Sequence, residues 1–475
     1  MQKFIGRKEE LETLEDLWQK TEKEGQMVII YGKRRVGKTE LVKEFIKNKY
    51  SAYYLATKTS ASDQLTTASQ TIFQGLEDNL AKNIKFENWR NFFDVLGDRI
   101  AENDRPKVII IDEFPYLVES DSAMSSLFQY GWDEKLRKTK TMLILMGSSI
   151  SMMYKHALNY SAPLYGRRTA SMLVEPFSYT EAKEFLDGSD FEKSFSLYSL
   201  LGGIPAYLDQ LEPKQTLEYN LTNILLKKNS FLRTEPELLI SEEFQEPRNY
   251  LTVLKAIGLK QTKYSEILNS TGLDTNQLPF YLKTLLELRL IKKEVPITEK
   301  NPETSKKGSY SIYDNFLRFY FSFVLTNNSL IESENLDLVV RSKIDTLQAL
   351  YAKAYEDTSK EIVRNAIKAG KLPQFYEFGR WWDKNNEIDL VGLNSDENSI
   401  LFVEVKWNNQ PVDTDVFWKL VERSELVKWG EEGRQKYYTL ISKNGFTEQM
   451  EKLAQERSIC LIAQDVVSVD EGKYF

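Results

Sequence analysis

Residues Gly32–Thr39, GKRRVGKT, satisfy the pattern G-x-x-x-x-G-K-S/T in full and follow the apolar run MVIIYG at 27–32. No other stretch of the 475-residue chain restricts the fold so tightly. The pattern works only with a buried strand ahead of it and a helix behind it, so that backbone N–H groups and the helix N-terminus converge on phosphate. Further short apolar runs stand at 52–57, 107–112, 142–147 and 170–175, with helical patterns at 38–48, 62–81 and 88–102 between them. Val, Ile and Leu fill these runs without polar alternation, as in strands covered on both faces of a parallel sheet. The expected fold class is α/β, with a phosphate-loop (P-loop) parallel-sheet core.

The chemistry expected of that core is Mg²⁺-dependent binding and hydrolysis of ATP. The backbone of Gly32, Lys33, Arg34, Arg35, Val36 and Gly37 would wrap the phosphates, Lys38 would hold the β- and γ-phosphates, and Thr39 would ligate Mg²⁺. In VIIIDEFPYL, Asp112 ends a buried strand, where a carboxylate needs a cation or donor to face, so it is the second metal-side group. Glu113 follows as the acid that polarises the attacking water. Ser148 and Ser149 end the next strand, and Ser148 is expected either to sense the γ-phosphate or to position water, with a purely structural role as the other reading. In PLYGRRTA, Arg167 and Arg168 are the candidates for an arginine finger, acting within the chain or on a neighbouring subunit of a homo-oligomer.

Composition removes whole reaction classes. His156 and Cys460 are the only histidine and cysteine, so Cys/His zinc sites cannot form and triad catalysis would have to run through His156. One cysteine permits no disulfide within the chain, which suits a cytoplasmic location. A net charge of −7 excludes a wholly basic nucleic-acid coat protein. The longest aliphatic runs, such as MLILM, are too short to span a membrane, and the N-terminal MQKFIGRKEELETL is too charged for a signal peptide.

Residues 176 to about 240 read as helical. From Arg248 to Tyr310 there are 11 Lys/Arg against 6 Asp/Glu, so a basic segment sits in an acidic chain. Within it, KQTKYSEILNSTGLDTNQLPFYLKTLLELRLI has the layout of a helix-turn-helix, with Gly272 in the turn, Pro279 in the first turn of the second helix, and apolar spacing at Leu278, Leu282, Leu285 and Leu286. The hairpin EVPIT…GSYSIYD would form its wing. Lys283, Arg289, Lys292 and Lys293 follow or flank that helix. The module is expected to contact DNA or to pack on the ATPase or a protein partner. LTNNSLIESENLD at 325–337 is the expected linker. Beyond it, Asp389 in NEIDLVG, and Glu404 with Lys406 on LFVEVKW, resemble the PD-(D/E)xK nuclease core. Glu404 and Lys406 fall on one face of a strand, and Glu356 on an upstream helix completes the acidic set. Asp389 and Glu404 are the expected ligands of a divalent metal, Lys406 the charge-stabilising group, and Trp381 and Trp382 either stack on a base or cover the core.

Taken in order, FIGRKEELETL, the phosphate loop, IDEFPYL, GSSISMM, LYGRRT and LGGIPAYL resemble the archaeal-type AAA/STAND-related P-loop ATPases, a family also found in bacteria. That resemblance implies a nucleotide-facing strip at Phe4–Arg7, with Arg7 toward the nucleotide, and a lid carrying GGIP (202–205). It also implies a C-terminal nuclease-like domain bearing the signature W…EIDLV…EVKW. The expected division is an ATPase core at 1–175, a helical lid at 176–245, a winged helix at 246–325 and a PD-(D/E)xK-like domain at 338–475. The expected activity is ATP hydrolysis controlling a C-terminal domain that acts on DNA. The alternative is a nucleotide switch of the STAND kind whose nuclease-like module binds without cutting.

Overall fold

The computed structural model describes residues 4–244, 246–333 and 335–467. The chain forms two compact units. One runs to Phe177 and includes Ile204–Asp209; the other comprises Ser178–Gly203 and the residues from Gln210 onward. Among the described residues, no helix is long and apolar enough to cross a membrane.

The first unit is built on five parallel strands: β1 (Gln26–Tyr31), β2 (Ser51–Leu55), β3 (Lys107–Asp112), β4 (Thr141–Gly147) and β5 (Ala170–Leu173), in the order β2-β3-β4-β1-β5. All residues of β3 and β4 are buried, which is why these runs carry no polar alternation. Helices Ala61–Gly75 and Trp89–Ala101 contribute Leu65, Ile72, Phe73, Trp89, Phe92 and Leu96 to the core against the sheet. Phe93, Phe114, Phe128 and Trp89 meet there mostly edge to face, the arrangement their ring quadrupoles favour. Parallel strands place all their C-terminal ends at one edge, and the loop Gly32–Gly37 leaves β1 at that edge. Gly37, at φ +92°, turns the loop into the helix Lys38–Ile46. Gly32 passes so close to β5 that an added Cβ would lie 2.3 Å from the Val174 carbonyl oxygen.

In the second unit, helices Arg248–Gly258, Tyr264–Thr271 and Leu278–Glu287 precede an antiparallel pair, β6 (Ile291–Glu294) and β7 (Ser309–Ile312). Segment 325–337 is not the linker that its polar composition suggested. Helices Asn328–Glu332 and Leu336–Ser342 occupy most of it, and they bury Ile331, Val339 and Val340. The 25-residue helix Ile344–Lys368 follows. It leads into a sheet of β8 (Glu377–Trp382), β9 (Glu387–Asn394), β10 (Ser399–Lys406), β11 (Gln435–Ser442), β12 (Cys460–Ala463) and β13 (Val466–Val467), in the order β13-β12-β11-β10-β9-β8. Strands β8, β9 and β10 are antiparallel, whereas β10, β11 and β12 run parallel. Asp357 on the long helix is half-buried among Lys292 Nζ at 3.0 Å, Arg318 Nη2 at 2.7 Å and Lys353 Nζ at 3.2 Å. Although burial opposes ionisation, those three cations hold its carboxyl well below the usual range, and the cluster pins β6 to the helix.

The close passage at Gly32 yields a stability test. Gly32→Ala is expected to cost about 1–3 kcal/mol, the usual range for a strained backbone position. Gly166→Ala, where an added Cβ meets nothing within 4 Å, is expected to stay within about 0.5 kcal/mol. Urea melts of the two variants measure the difference.

Candidate functional site

The C-terminal edge of the parallel sheet brings together most of the residues singled out in the N-terminal sequence. Thr39 Oγ1 donates to Asp112 Oδ2 at 2.9 Å, joining the start of the loop helix to the end of β3. Lys38 Nζ folds onto the loop, donating to the carbonyls of Gly32 (2.8 Å) and Lys33 (3.0 Å). Arg34 Nη2 donates to the Tyr116 hydroxyl at 3.0 Å, Val36 is buried, and Arg35 takes a left-handed backbone at φ 67°. Ser148 Oγ donates to Glu113 Oε1 at 2.5 Å and its backbone N–H donates to Oε2 at 3.2 Å, so the end of β4 grips the Glu113 carboxylate. Glu113 itself sits at φ 54°, in a region costly for any residue but glycine. Strain of that kind is stored where the side chain must point a particular way.

Tyr53 belongs to this site and has no motif to reveal it. Its hydroxyl donates to Asp112 Oδ2 from β2, the neighbour of β3. Burial first, and then that bond, push the Tyr53 hydroxyl upward, so it remains a donor at any ordinary pH. Only the β2–β3 pairing brings it there, and sequence spacing carries no trace of that pairing.

Geometry bears on three further expectations. Arg7 is 4% exposed and does not present its charge to open space: Nη2 donates to the carbonyls of Val36 (2.9 Å) and Glu175 (2.7 Å), Nη1 to Glu10 Oε1 at 3.1 Å, and the guanidinium lies 4.2 Å from the Phe177 ring centroid. It braces the loop rather than facing nucleotide. Arg167 and Arg168 lie just before β5, beside Thr169, which is bonded to Met27 near the start of β1. That is the N-terminal edge of the sheet, about 17 Å of strand from the loop at roughly 3.3 Å per residue. Neither can act as a finger on its own chain's loop. Arg167 Nε is paired with Asp133 at 2.8 Å, and Arg168 donates to the carbonyls of Ala157 and Leu158. The GGIP segment divides: Gly202 and Gly203 belong to the second unit, while the helix Pro205–Leu208 belongs to the first, where Pro205 Cγ lies 3.8 Å from the Cβ position of Gly37.

A second constellation forms on β9 and β10. Phe402 pairs with Val391 and Val403 with Leu390, so the next step along the ladder sets Glu404 beside Asp389 on one face. Asp389 Oδ2 accepts from the Val405 N–H at 2.9 Å. Lys406 Nζ lies 2.7 Å from Glu404 Oε1, and Arg423 Nη2 2.9 Å from Oε2. Glu356 is paired with Lys353 Nζ at 3.0 Å. Burial, then the Glu404 and Glu356 charges, push the Asp389 carboxyl up to about 7. Glu404 Oε1 thus takes a hydrogen bond from Lys406. Among the described residues, buried Oε2 has Arg423 near it but no hydrogen-bond donor, and no group of three or more His, Cys, Asp or Glu is disposed to hold a metal ion. Arg423, from the helix Thr414–Glu425, is the member that the sequence gave no reason to expect. Trp381 is buried in the sheet core, and Trp382 is half-buried outside it.

A phosphate loop on a β2-β3-β4-β1-β5 sheet, with its threonine bonded to a strand-end aspartate, defines the first unit as a P-loop ATPase domain. The comparisons agree. A model of an ATPase domain predominantly from Archaea matches residues 4–211, and a model of archaeal and bacterial proteins of unknown function matches residues 320–417. An uncharacterized protein of Methanocaldococcus jannaschii is 37% identical over 446 residues, 93% of this chain and 95% of its own length. The chain belongs to the same archaeal-type P-loop ATPase family as that protein. An uncharacterized ATP-binding protein of the same organism is 54% identical over 46 residues, 10% of this chain and 75% of its own. Among solved structures, the Walker-type ATPase of Pyrococcus abyssi covers 67% of this chain and 96% of its own at 21% identity, with a TM-score of 0.48. The Aeropyrum pernix ORC2 protein, in ADPNP–ADP complexes, covers 69% and 94% at 12% identity, with a TM-score of 0.46.

The Asp389 carboxyl gives a pH test. Its folded value near 7 lies above the ordinary 3.8, so its contribution to stability is complete below pH 3.8 and is lost as pH climbs through 7. Asn keeps an oxygen for the Val405 N–H but cannot ionise. Relative to Asp389→Asn, the wild type is therefore expected to lose about 3 kcal/mol between pH 5 and pH 9 in metal-free buffer, nearly all of it below pH 7.5. Denaturant melts across that range measure the difference.

Proposed function

We propose that the chain is a Mg²⁺-dependent ATP hydrolase whose nucleotide state governs a C-terminal module acting on DNA. The contact that carries the reading is the Thr39–Asp112 bond. It sets two hard oxygen donors side by side next to Lys38, a donor set suited to Mg²⁺. Thr39 and Asp112 would hold the ion, which supplies charge neutralisation on the phosphates. Lys38 would leave the carbonyls of Gly32 and Lys33 for the phosphate oxygens, exchanging two neutral acceptors for a charged one. Tyr53 would keep Asp112 oriented. Glu113 would accept the proton of the attacking water once its carboxylate turns from Ser148. Arg167 and Arg168, on the far edge of the sheet, would serve as fingers only for a neighbouring copy.

Control of the second unit is supported by chain connectivity. Ile204–Asp209 belongs to the ATPase unit, while the residues before and after it belong to the other. A shift of Pro205 beside the loop is therefore transmitted covalently in both directions. The three helices and the β6–β7 hairpin fit a winged helix, with Gln277, which caps the third helix, and Phe280 and Lys283 on it exposed, the face that would meet duplex DNA. The β9–β10 carboxylates with Lys406 fit a PD-(D/E)xK-like centre. One observation favours the alternative of binding without cleavage: two cations, Lys406 and Arg423, stand within 3 Å of Glu404, and a metal ion there would have to share the carboxylate with them.

Lys38→Ala and Glu113→Gln are each expected to lower steady-state phosphate release by at least about a hundredfold. Glu113→Gln should keep Mg·ATP affinity and Lys38→Ala should lose it, as read by calorimetry; hydrolysis at the wild-type rate in Glu113→Gln would remove that residue from the role of base. If the second unit cuts DNA, Asp389→Ala abolishes Mn²⁺-dependent nicking of supercoiled plasmid. Absence of nicking by the wild type selects the binding-only alternative.

A further inference from the structure

In the second unit, a cavity of about 360 Å³ is lined by Lys263, Ser309, Arg380, Trp382, Lys384 and the turn Asp383–Glu387. Three separate parts of the chain meet there: the residue before helix Tyr264–Thr271, strand β7, and the β8–β9 turn. Lys263 Nζ and Arg380 Cζ each lie 5.9 Å from the Trp382 ring centroid, at the outer limit of cation–π range, so either contact is cheap to exchange. The two acids on the rim are already engaged. Asp383 accepts from the N–H groups of Asn385 and Asn386 at 2.8 Å, and Glu387 is paired with Arg380 at 3.0 Å.

Trp382 pairs in register with Glu387, and Asp389 follows two residues later on the same face of β9. The backbone of Trp382 therefore lies about 7 Å along the strand from Asp389. Arg380, paired with Glu387 at 3.0 Å, keeps its charge: although burial opposes it, Glu356, Glu294, Glu387 and Asp389 all reinforce it.

We infer that this cavity seats an unpaired nucleotide of a DNA strand, with its base stacked on Trp382 and its phosphate between Lys263 and Lys384, feeding the adjoining phosphodiester to the Asp389–Glu404 centre. The inference rests on reading that centre as a DNA-acting module, and it narrows the substrate to single-stranded DNA or to a duplex opened at an end. An aromatic face flanked by cations recognises any base and the backbone beside it, which is the recurring chemistry of single-strand binding. A fully paired duplex keeps its bases stacked and gives Trp382 nothing to cover.

The test is fluorescence anisotropy of a labelled oligothymidylate on the full chain in Ca²⁺ buffer, beside a blunt duplex of equal length, the matching single-stranded RNA, and unlabelled thymidine monophosphate as competitor. Trp382→Ala is expected to weaken single-strand binding about tenfold or more, Trp382→Phe by no more than about threefold, and Lys384→Ala by several-fold, with duplex binding unchanged in all three. Wild-type affinity in folded Trp382→Ala and Lys384→Ala, an equal loss on duplex, or displacement by the mononucleotide at strand-equivalent concentration would overturn the inference. Preference for the RNA would overturn its assignment to DNA. Because binding is read without cleavage, plasmid nicking that fails while Trp382-dependent binding persists removes the nuclease reading alone.

Discussion

A carboxylate withdrawn from water must find a cation or a set of donors, and this requirement shapes both chemical centres of the molecule. Asp112, buried at the end of β3, is held by the hydroxyls of Thr39 and Tyr53 and by the Glu113 N–H. Asp357 collects three cations, and Glu404 collects two. Asp389 is the exception, with one backbone donor and two neighbouring acids, and its carboxyl accordingly rises toward neutrality. Among the described residues, the Asp389 charge is thus left without a paired cation of its own.

In the first unit, the same requirement sets up a resting arrangement. Lys38 is occupied with loop carbonyls, Glu113 with Ser148, and Thr39 with Asp112. Each contact sets one charged group against a neutral partner, and a triphosphate with its metal would offer each an opposite charge instead. Because Ile204–Asp209 sits in this unit while its flanks do not, the rearrangement has a covalent route outward.

The parallel-sheet core was legible because it rests on local rules. Uninterrupted Val/Ile/Leu runs demand double-sided cover, and the glycine-rich loop admits one kind of neighbour on each side. The strand boundaries expected at 27–32, 52–57, 107–112 and 142–147 lie within two residues of β1 to β4 at either end. The linker at 325–337 was misread because polar composition marks exposure, and an amphipathic helix with one buried edge is also mostly polar. Ile331, Val339 and Val340 carry that edge. Arg7 and the Arg167–Arg168 pair were misplaced because arginine beside a motif does not reveal whether backbone carbonyls will claim it.

Spacing along the chain was enough to single out Lys38, Thr39, Asp112, Glu404 and Lys406, since each belongs to a pattern a few residues long on one strand or turn; Asp389 was joined to its partners only across fifteen residues, and the β9–β10 pairing brings them together. Tyr53, Arg423 and the partnership of Ser148 with Glu113 came only with folding. Each depends on which strand or helix lies beside which, a long-range choice made by burial of the whole sheet. The edge of the sheet on which a residue emerges was settled in the same way, and it decides whether an arginine can reach its own chain's nucleotide or only another's.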